Sequence, residues 1–442
     1  MVLSIIIFVA VYVLIAFELV DKTAAALAGA VAVILLGLVP YEEAKAAIDM
    51  NVLFLLMGMM IVMSILSETG LFEWLAIAIA QKAKGNAKLI VLCFLLVTAF
   101  LSAVLDNVTT VILIAPITIL ITQLLEVKTA PILILMAIFS NVGGTATLIG
   151  DPPNILIGSG AGLEFMEFIE HLTPIIIVTT LVCLAVVYFQ LGKKANASPA
   201  VRDRVMLADA RLAILDPKLL RTSLFVLGVI LLGFFTGRLT HFEPGIVAMG
   251  GAVLMIVLCK VDLHDALHRV EWATILFFIG LFMLISALEH NHLFTMAGEQ
   301  LVRLTQGNLL MTAITILWAA AILSAIVDNI PLVIAMIPLI ASIIPTFATQ
   351  MGAQIGHELS PEEVKILIAE PLYWSLALGA CLGGNGTLIG ASANVVIAQI
   401  GNRNKCEISF MQFTREGFPI MLLTVAISTV YIYGRYFYLR DF

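Results

Sequence analysis

From Val2 to Phe437 the chain is a succession of apolar runs separated by short charged gaps. Runs of about 17–25 residues are long enough to cross a bilayer as α-helices. In hydrocarbon every backbone N–H and C=O must be satisfied within the segment, so the helix is the default spanning element. The shortage of charge extends along the whole chain: 12% of the 442 residues are charged, against about 25% in soluble domains. The chain therefore reads as an all-α, multi-pass integral membrane protein, placed in the plasma or inner membrane if the source is prokaryotic. The first run, Val2 to Phe17, has neither a basic leader nor a small-residue cleavage site, and is expected to remain as a span.

The motifs exclude several function classes. No GxGxxG, Walker or HExxH pattern occurs, so neither a nucleotide motor nor a zinc protease is signalled. Cys93, Cys183, Cys259, Cys381 and Cys406 lie far apart with no CxxC pair, which argues against a disulfide framework or a zinc site. No cofactor is expected beyond a bound Na+, and no nucleic-acid partner.

The sequence contains one unit written twice. SAVLDNVTTVI (102–112) is answered by SAIVDNIPLVI (324–334), an offset of 222 residues that needs no gap from about residue 24 to about residue 121. The same offset aligns Gly58 with Gly280, Ser64 with Ser286 and Gly85-Asn86 with Gly307-Asn308. Further on the offset becomes 240, and GGTATLIG (143–150) matches GGNGTLIG (383–390), with Asn154 opposite Asn394. Shared glycines and polar residues are not an accident of apolar composition.

The first unit, 1–192, has spans near 2–17, 23–39 and 52–67, an amphipathic stretch 71–84, an interrupted run 89–125, a broken span 130–161 and a span 173–191. The second, 222–442, has spans near 222–238, 244–260 and 272–288, an amphipathic stretch 293–305, an interrupted run 309–345, a broken span 364–401 and a span 417–437. The polar linker 193–221 joins them. Basic residues collect on the cytoplasmic side, which puts the linker, Lys82, Lys84 and Lys88 inside. Crossing parity then requires each interrupted run to enter and leave by one face. Two complete helices would need about 40 residues, and each run has 37. Each is expected to be a re-entrant helical hairpin, with Asp106-Asn107 and Asp328-Asn329 at the tips. This topology puts 17 of the 23 Lys and Arg inside, leaving Lys45, Arg238, Arg303, Lys365, Arg435 and Arg440 outside. Five crossings per unit, an odd number, make the second unit inverted relative to the first, as in secondary transporters that bind near the midplane.

Non-helical backbone at membrane depth persists only where protein buries it or it lines a wet cavity. A hairpin tip presents helix-end carbonyls, which suit a cation, and helix-start N–H groups, which suit an anion. Asp106 and Asp328 add carboxylates there, at a cost of at least about 2.5–3.5 kcal/mol each on insertion scales, and Asn107, Thr109 and Asn329 flank them. Capping is the bland role for Asp-Asn, but Ser or Thr would cap without the charge. Gly143-Gly144 and Gly383-Gly384 are expected to permit unwound backbone. Thr145, Thr147, Asn385 and Thr387 would supply ligands in those breaks, although glycines in membrane helices often serve only close packing. Asp151 and Asn154 follow in the first unit. Ser392 and Asn394 follow in the second, where Ala391 replaces Asp151, so the site is asymmetric. His264, His268, His290, Asn291, His292, Glu18 and Asp21 are expected to be interfacial or solvated.

LDNVTT, GGTATLIGDPPN, HRVEWATILFF (268–278) and ACLGGNGTLIGASANVV (380–396) resemble the ion transporter superfamily, in the branch holding the melanosomal P protein, NhaD-type sodium/proton antiporters and arsenite-permease-like proteins. The resemblance covers nearly the whole chain. It implies a homodimer, an elevator-like motion of a transport part against a scaffold, and ion sites at the two tips and adjoining breaks. Na+ would sit at Asp106, Asn107, Asp328 and Asn329. Dicarboxylate transporters of this superfamily carry Ser-Asn-Thr tips, which Asp-Asn replaces here. The expected function is secondary active transport of a small inorganic ion, Na+/H+-coupled antiport, with proton-coupled export of arsenite or another small anion as the alternative. An enzyme is not expected, because an intramembrane aspartyl protease would show GxGD. Re-entrant loops also build pores.

Overall fold

The short polar residues between the apolar runs set where helices begin. The computed structural model describes residues 2–16, 19–84, 86–124, 127–191 and 210–438. Linker residues 193–209 lie outside these, as do Phe17, Glu18, Gly85, Leu125 and Arg440. The first unit comprises α1 (Val2–Ala16), α2 (Lys22–Leu35), α3 (Tyr41–Ala46), α4 (Met50–Ser67), α5 (Leu71–Lys82), α6 (Ala87–Ser102), α7 (Asn107–Leu124), α8 (Thr129–Gly144), α9 (Pro152–Ala161), α10 (Phe165–His171) and α11 (Thr173–Leu191). The second comprises α12 (Pro217–Phe235), α13 (Pro244–Cys259), α14 (Leu263–His268), α15 (Trp272–His290), α16 (Leu293–Leu304), α17 (Leu309–Ile326), α18 (Asn329–Ile355), α19 (Glu370–Gly383), α20 (Ser392–Arg403) and α21 (Phe410–Tyr433). Among the described residues, eight helices are long and apolar enough to cross a membrane.

Helix starts recur at the sequence offsets. Lys22 and Pro244, Met50 and Trp272, Leu71 and Leu293, Ala87 and Leu309, and Asn107 and Asn329 each open helices 222 residues apart; Pro152 and Ser392 do so 240 apart. The caps recur too. Asn86 accepts from Leu89 N–H at 3.2 Å and Asn308 from Met311 N–H at 3.0 Å, each satisfying an orphan donor of the first turn.

Packing between the units is reciprocal. Helix α2 lies on α15, and α4 lies on α13. A Cβ on Gly58 would fall 2.6 Å from the Ala248 carbonyl carbon, and one on Gly280 would fall 2.8 Å from that of Ala26. Both pairs are the same two repeat positions met in opposite order, the signature of an isologous contact.

The second hairpin is longer than the sequence suggested. Helix α18 continues through Pro338 and Pro345 to Ile355 and stops only where Gly356 takes φ 88°. Ala, Met and Gln in its last turns favour helix, and each interior proline removes only one i→i−4 bond. The 37-residue length argument therefore does not hold for this hairpin. Helix α8 packs on both α6 and α7, and α19 packs on both α17 and α18.

The paired glycines also differ from expectation. Gly383 and Gly384 are right-handed, with φ −60° and −55°, so flexibility is not what the backbone requires there. Close approach is: a Cβ on Gly143 would lie 2.0 Å from the Ala99 carbonyl oxygen, and one on Gly383 would lie 2.5 Å from that of Ala321. Gly143→Ala should accordingly lower stability by about 1–3 kcal/mol, the usual cost of overpacking. Gly228→Ala, in open space on α12, should be neutral or better. Thermal melts of the two variants in detergent check this; equal melting temperatures would refute it.

Candidate ion-binding site

Two hairpin tips and two breaks converge between α4 and α15. The first break leaves α8 at Gly144 and enters α9 through extended Asp151 (φ −147°, ψ 131°); the second enters α20 through extended Ala391 (φ −150°, ψ 144°). Each break is held by an asparagine from the helix that follows. Asn154 donates to the carbonyls of Thr145 (3.1 Å) and Thr147 (2.8 Å), and Asn394 donates to those of Gly384 (2.8 Å) and Thr387 (3.0 Å). Three predicted hydroxyl ligands are engaged locally: Thr145 donates to Asn141 O, Thr147 to Ala103 O and Thr387 to Ala325 O. Asn154, Asn394 and these threonines therefore hold the breaks in shape.

The two breaks are stitched together at the centre. Asn141, fully buried on α8, donates to Asn385 Oδ1 (2.9 Å) and Asn394 Oδ1 (3.0 Å). Its repeat mate Cys381 donates to Asn154 Oδ1 at 3.5 Å. Sequence reasoning missed Asn141; the signal was an amide inside an otherwise apolar span.

At the first tip, the Asp106 carboxylate accepts from Thr109 N–H (2.8 Å) and from the Thr109 hydroxyl. Buried Asn107 donates to Asn141 Oδ1 (3.1 Å) and to Asp151 Oδ1 (3.0 Å). Asp151 is fully buried, and among the described residues its second oxygen has no N–H or O–H donor, only the weakly donating Cys381 thiol beside it. At the second tip, Asp328 Oδ1 accepts from Ile330 N–H at 3.4 Å; Oδ2 accepts from Ser392 Oγ at 3.2 Å and lies 3.6 Å from Lys22 Nζ. Buried Asn329 has an amide nitrogen without an acceptor among the described residues, because Cys381 and Ala391 stand where Asn141 and Asp151 serve Asn107. The amide nitrogen of Asn385 likewise has no acceptor among the described residues.

A cavity of about 240 Å³ collects Asp106, Asn107, Asp151, Asn329 and Ser392, together with Lys22, Glu271 and Thr274, which sequence reasoning did not single out. Asp328 faces an adjoining cavity of about 400 Å³ that shares Lys22 and Ser392. A third, of about 570 Å³, carries Asp49, Glu164 and Glu243 and shares Ile155 with the first. Asp49 caps its helix, accepting from Val52 N–H at 3.1 Å. The longer Glu271 at the matching position leaves its helix start uncapped and accepts instead from Thr274 Oγ1 at 3.1 Å. Three carboxylates against one ammonium make the first cavity attractive to a cation. A buried carboxylate oxygen without a partner requires a proton or a cation. No group of three or more His, Cys, Asp or Glu with metal-holding geometry occurs among the described residues, and the donor set of carboxylate and amide oxygens suits a hard cation.

Comparisons with known proteins find membrane transporters among the relatives of this chain. The family model described as Citrate transporter matches residues 12–364. An uncharacterized transporter of Mycobacterium tuberculosis is 40% identical over 99% of both chains. A 46 kDa membrane protein of Mycobacterium leprae is 38% identical over 98% of this chain and 99% of its own. The human P protein is 34% identical over 96% of this chain, which spans 58% of that protein.

Proposed function

The chain belongs to the citrate transporter (CitMHS) family of membrane transporters, and from that premise we propose that it is a secondary active cation/proton antiporter, with Na+ as the cation. The observation that carries this reading is the buried Asp151 oxygen that no N–H or O–H serves among the described residues, beside Asp106 in a cavity with more carboxylate than ammonium. A carboxylate in such a place holds either a proton or a cation, and exchange of one for the other is antiport. Asn107 positions the pair by donating to Asp151. The reciprocal packing of α2 on α15 and α4 on α13 supports a two-fold relation of the units; with an odd number of crossings in each, that relation inverts the second. A homodimer with elevator-like motion completes the proposal.

A second reading is favoured by one specific observation. Lys22 and the amide of Asn329, which has no acceptor among the described residues, line the cavity as donors suited to an anion. They would serve proton-coupled movement of arsenite, a carboxylate such as citrate, or another small anion. Purified protein in liposomes with an internal pH dye separates the two. Antiport predicts that an external Na+ or Li+ pulse alkalinises the lumen, as cation enters and protons leave. Silence toward cations with a lumen pH change on a citrate or arsenite pulse would replace the first reading with the second.

A further inference from the structure

The two tips are matched in sequence, yet their carboxylates have unlike surroundings. Asp328 meets an ammonium and a hydroxyl: Lys22 Nζ lies 3.6 Å from Asp328 Oδ2 and donates to Ser392 Oγ at 3.2 Å, and Ser392 donates to the same carboxylate oxygen at 3.2 Å. The ammonium also sits 5.2 Å from the centroid of the Phe277 ring, a cation–π contact that further favours a positive charge at this spot. Asp106 has no ion-pair partner among the described residues; its bonds are to Thr109, three residues along its own chain. The difference is written in the repeat. Pro244 stands at the position matching Lys22, Pro152 at that matching Ser392, and Pro331 at that matching Thr109. None of the three prolines has a side-chain donor, so neither tip can copy the arrangement of the other.

We infer that the ammonium of Lys22 is a built-in cation that fills the second tip, so that the protein has one exchangeable cation site, at Asp106 and Asp151, despite carrying two copies of the tip. This deepens the cation reading above and rests on it. The ammonium takes the place at Asp328 that a dissolved ion would otherwise hold. Being tethered, it is present at high effective concentration, which a dilute external cation cannot match. The pair is partly shielded, the Asp328 side chain being 13% exposed and that of Lys22 38%. Lys22 belongs to α2, which packs on α15, whereas Asp328 and Ser392 open α18 and α20. The contact therefore also ties the start of α2 to the second tip.

The test is the stoichiometry of radiolabelled Na+ bound at saturation by purified full-length protein. Wild type should bind one Na+ per chain. At alkaline pH, where protons do not compete, Lys22→Gln should bind two, because Asp328 then needs an external counter-ion. Asp328→Asn should still bind one, since Asn keeps the helix cap and the second tip contributed no exchangeable ion. One Na+ per chain in Lys22→Gln, or none in Asp328→Asn, would overturn the inference even if that variant alone folds. No Na+ bound by wild type would instead overturn the cation reading on which it rests.

Discussion

Asp106→Asn is expected to abolish cation-driven proton movement while leaving the protein folded. The reason lies in what each oxygen of Asp106 does. One accepts from Thr109 N–H at 2.8 Å, a capping role that Asn fills about as well. The other accepts from the Thr109 hydroxyl, which can rotate and accept from an amide instead. The hairpin tip should therefore survive with little loss of stability. The lost negative charge has no substitute, because Asp106 is the tip carboxylate lining the same cavity as Asp151. Leaving a desolvated cation without its partner costs about 3–5 kcal/mol, so Na+ affinity should fall by about 100-fold or more. Flux in liposomes, alongside melting temperature and elution profile, measures the two effects separately. Wild-type flux in the variant would reduce Asp106 to a helix cap.

The second large effect is on pH dependence. If a proton and Na+ exclude each other at one carboxylate, lowering pH must weaken apparent Na+ affinity, by up to about tenfold per pH unit for each competing proton. Saturating Na+ must overcome the loss. Asp151→Ala should flatten this dependence and keep the fold. Ala391 already occupies the matching place with nearly the same backbone, φ −150° and ψ 144° against −147° and 131°. Asn107 would keep Asn141 Oδ1 as an acceptor at 3.1 Å. Calorimetric Na+ titrations across about pH 5.5–8.5, a range spanning carboxylate and histidine chemistry, decide the matter. An affinity that does not change with pH in wild type would remove the antiport mechanism.

Much of this was legible in the sequence because the repeat isolates what apolar composition hides. Asp106, Asp328, Asp151 and the break residues stood out as polar groups inside apolar runs, and the structure brings Asp106, Asn107, Asp151, Asn329 and Ser392 to one cavity. Direction was not legible. Sequence places Thr145 and Thr147 in the break, but their bonds to Asn141 O and Ala103 O depend on helix packing. Lys22 and Glu271 sit at helix starts, where a charged residue is ordinarily solvated, and only the crossing of α2 with α15 turns them toward the cavity. The glycines were found but given the wrong physical role, since close approach and backbone freedom leave the same residue in a sequence.

The reciprocal contacts of Gly58 with Ala248 and Gly280 with Ala26 are those of two identical half-length chains clasped about a two-fold axis. In such a pair every substitution is made twice, so a lysine facing one tip must face both, and an aspartate in one break must appear in the other. Joining the halves into one polypeptide lifts that constraint. Asp151 and Ala391, Asn141 and Cys381, and Lys22 and Pro244 are pairs of repeat-matched positions that carry different residues. A single polypeptide lets each copy change alone, which is the freedom that the proposed division of the two tips, one for cargo and one closed by Lys22, requires.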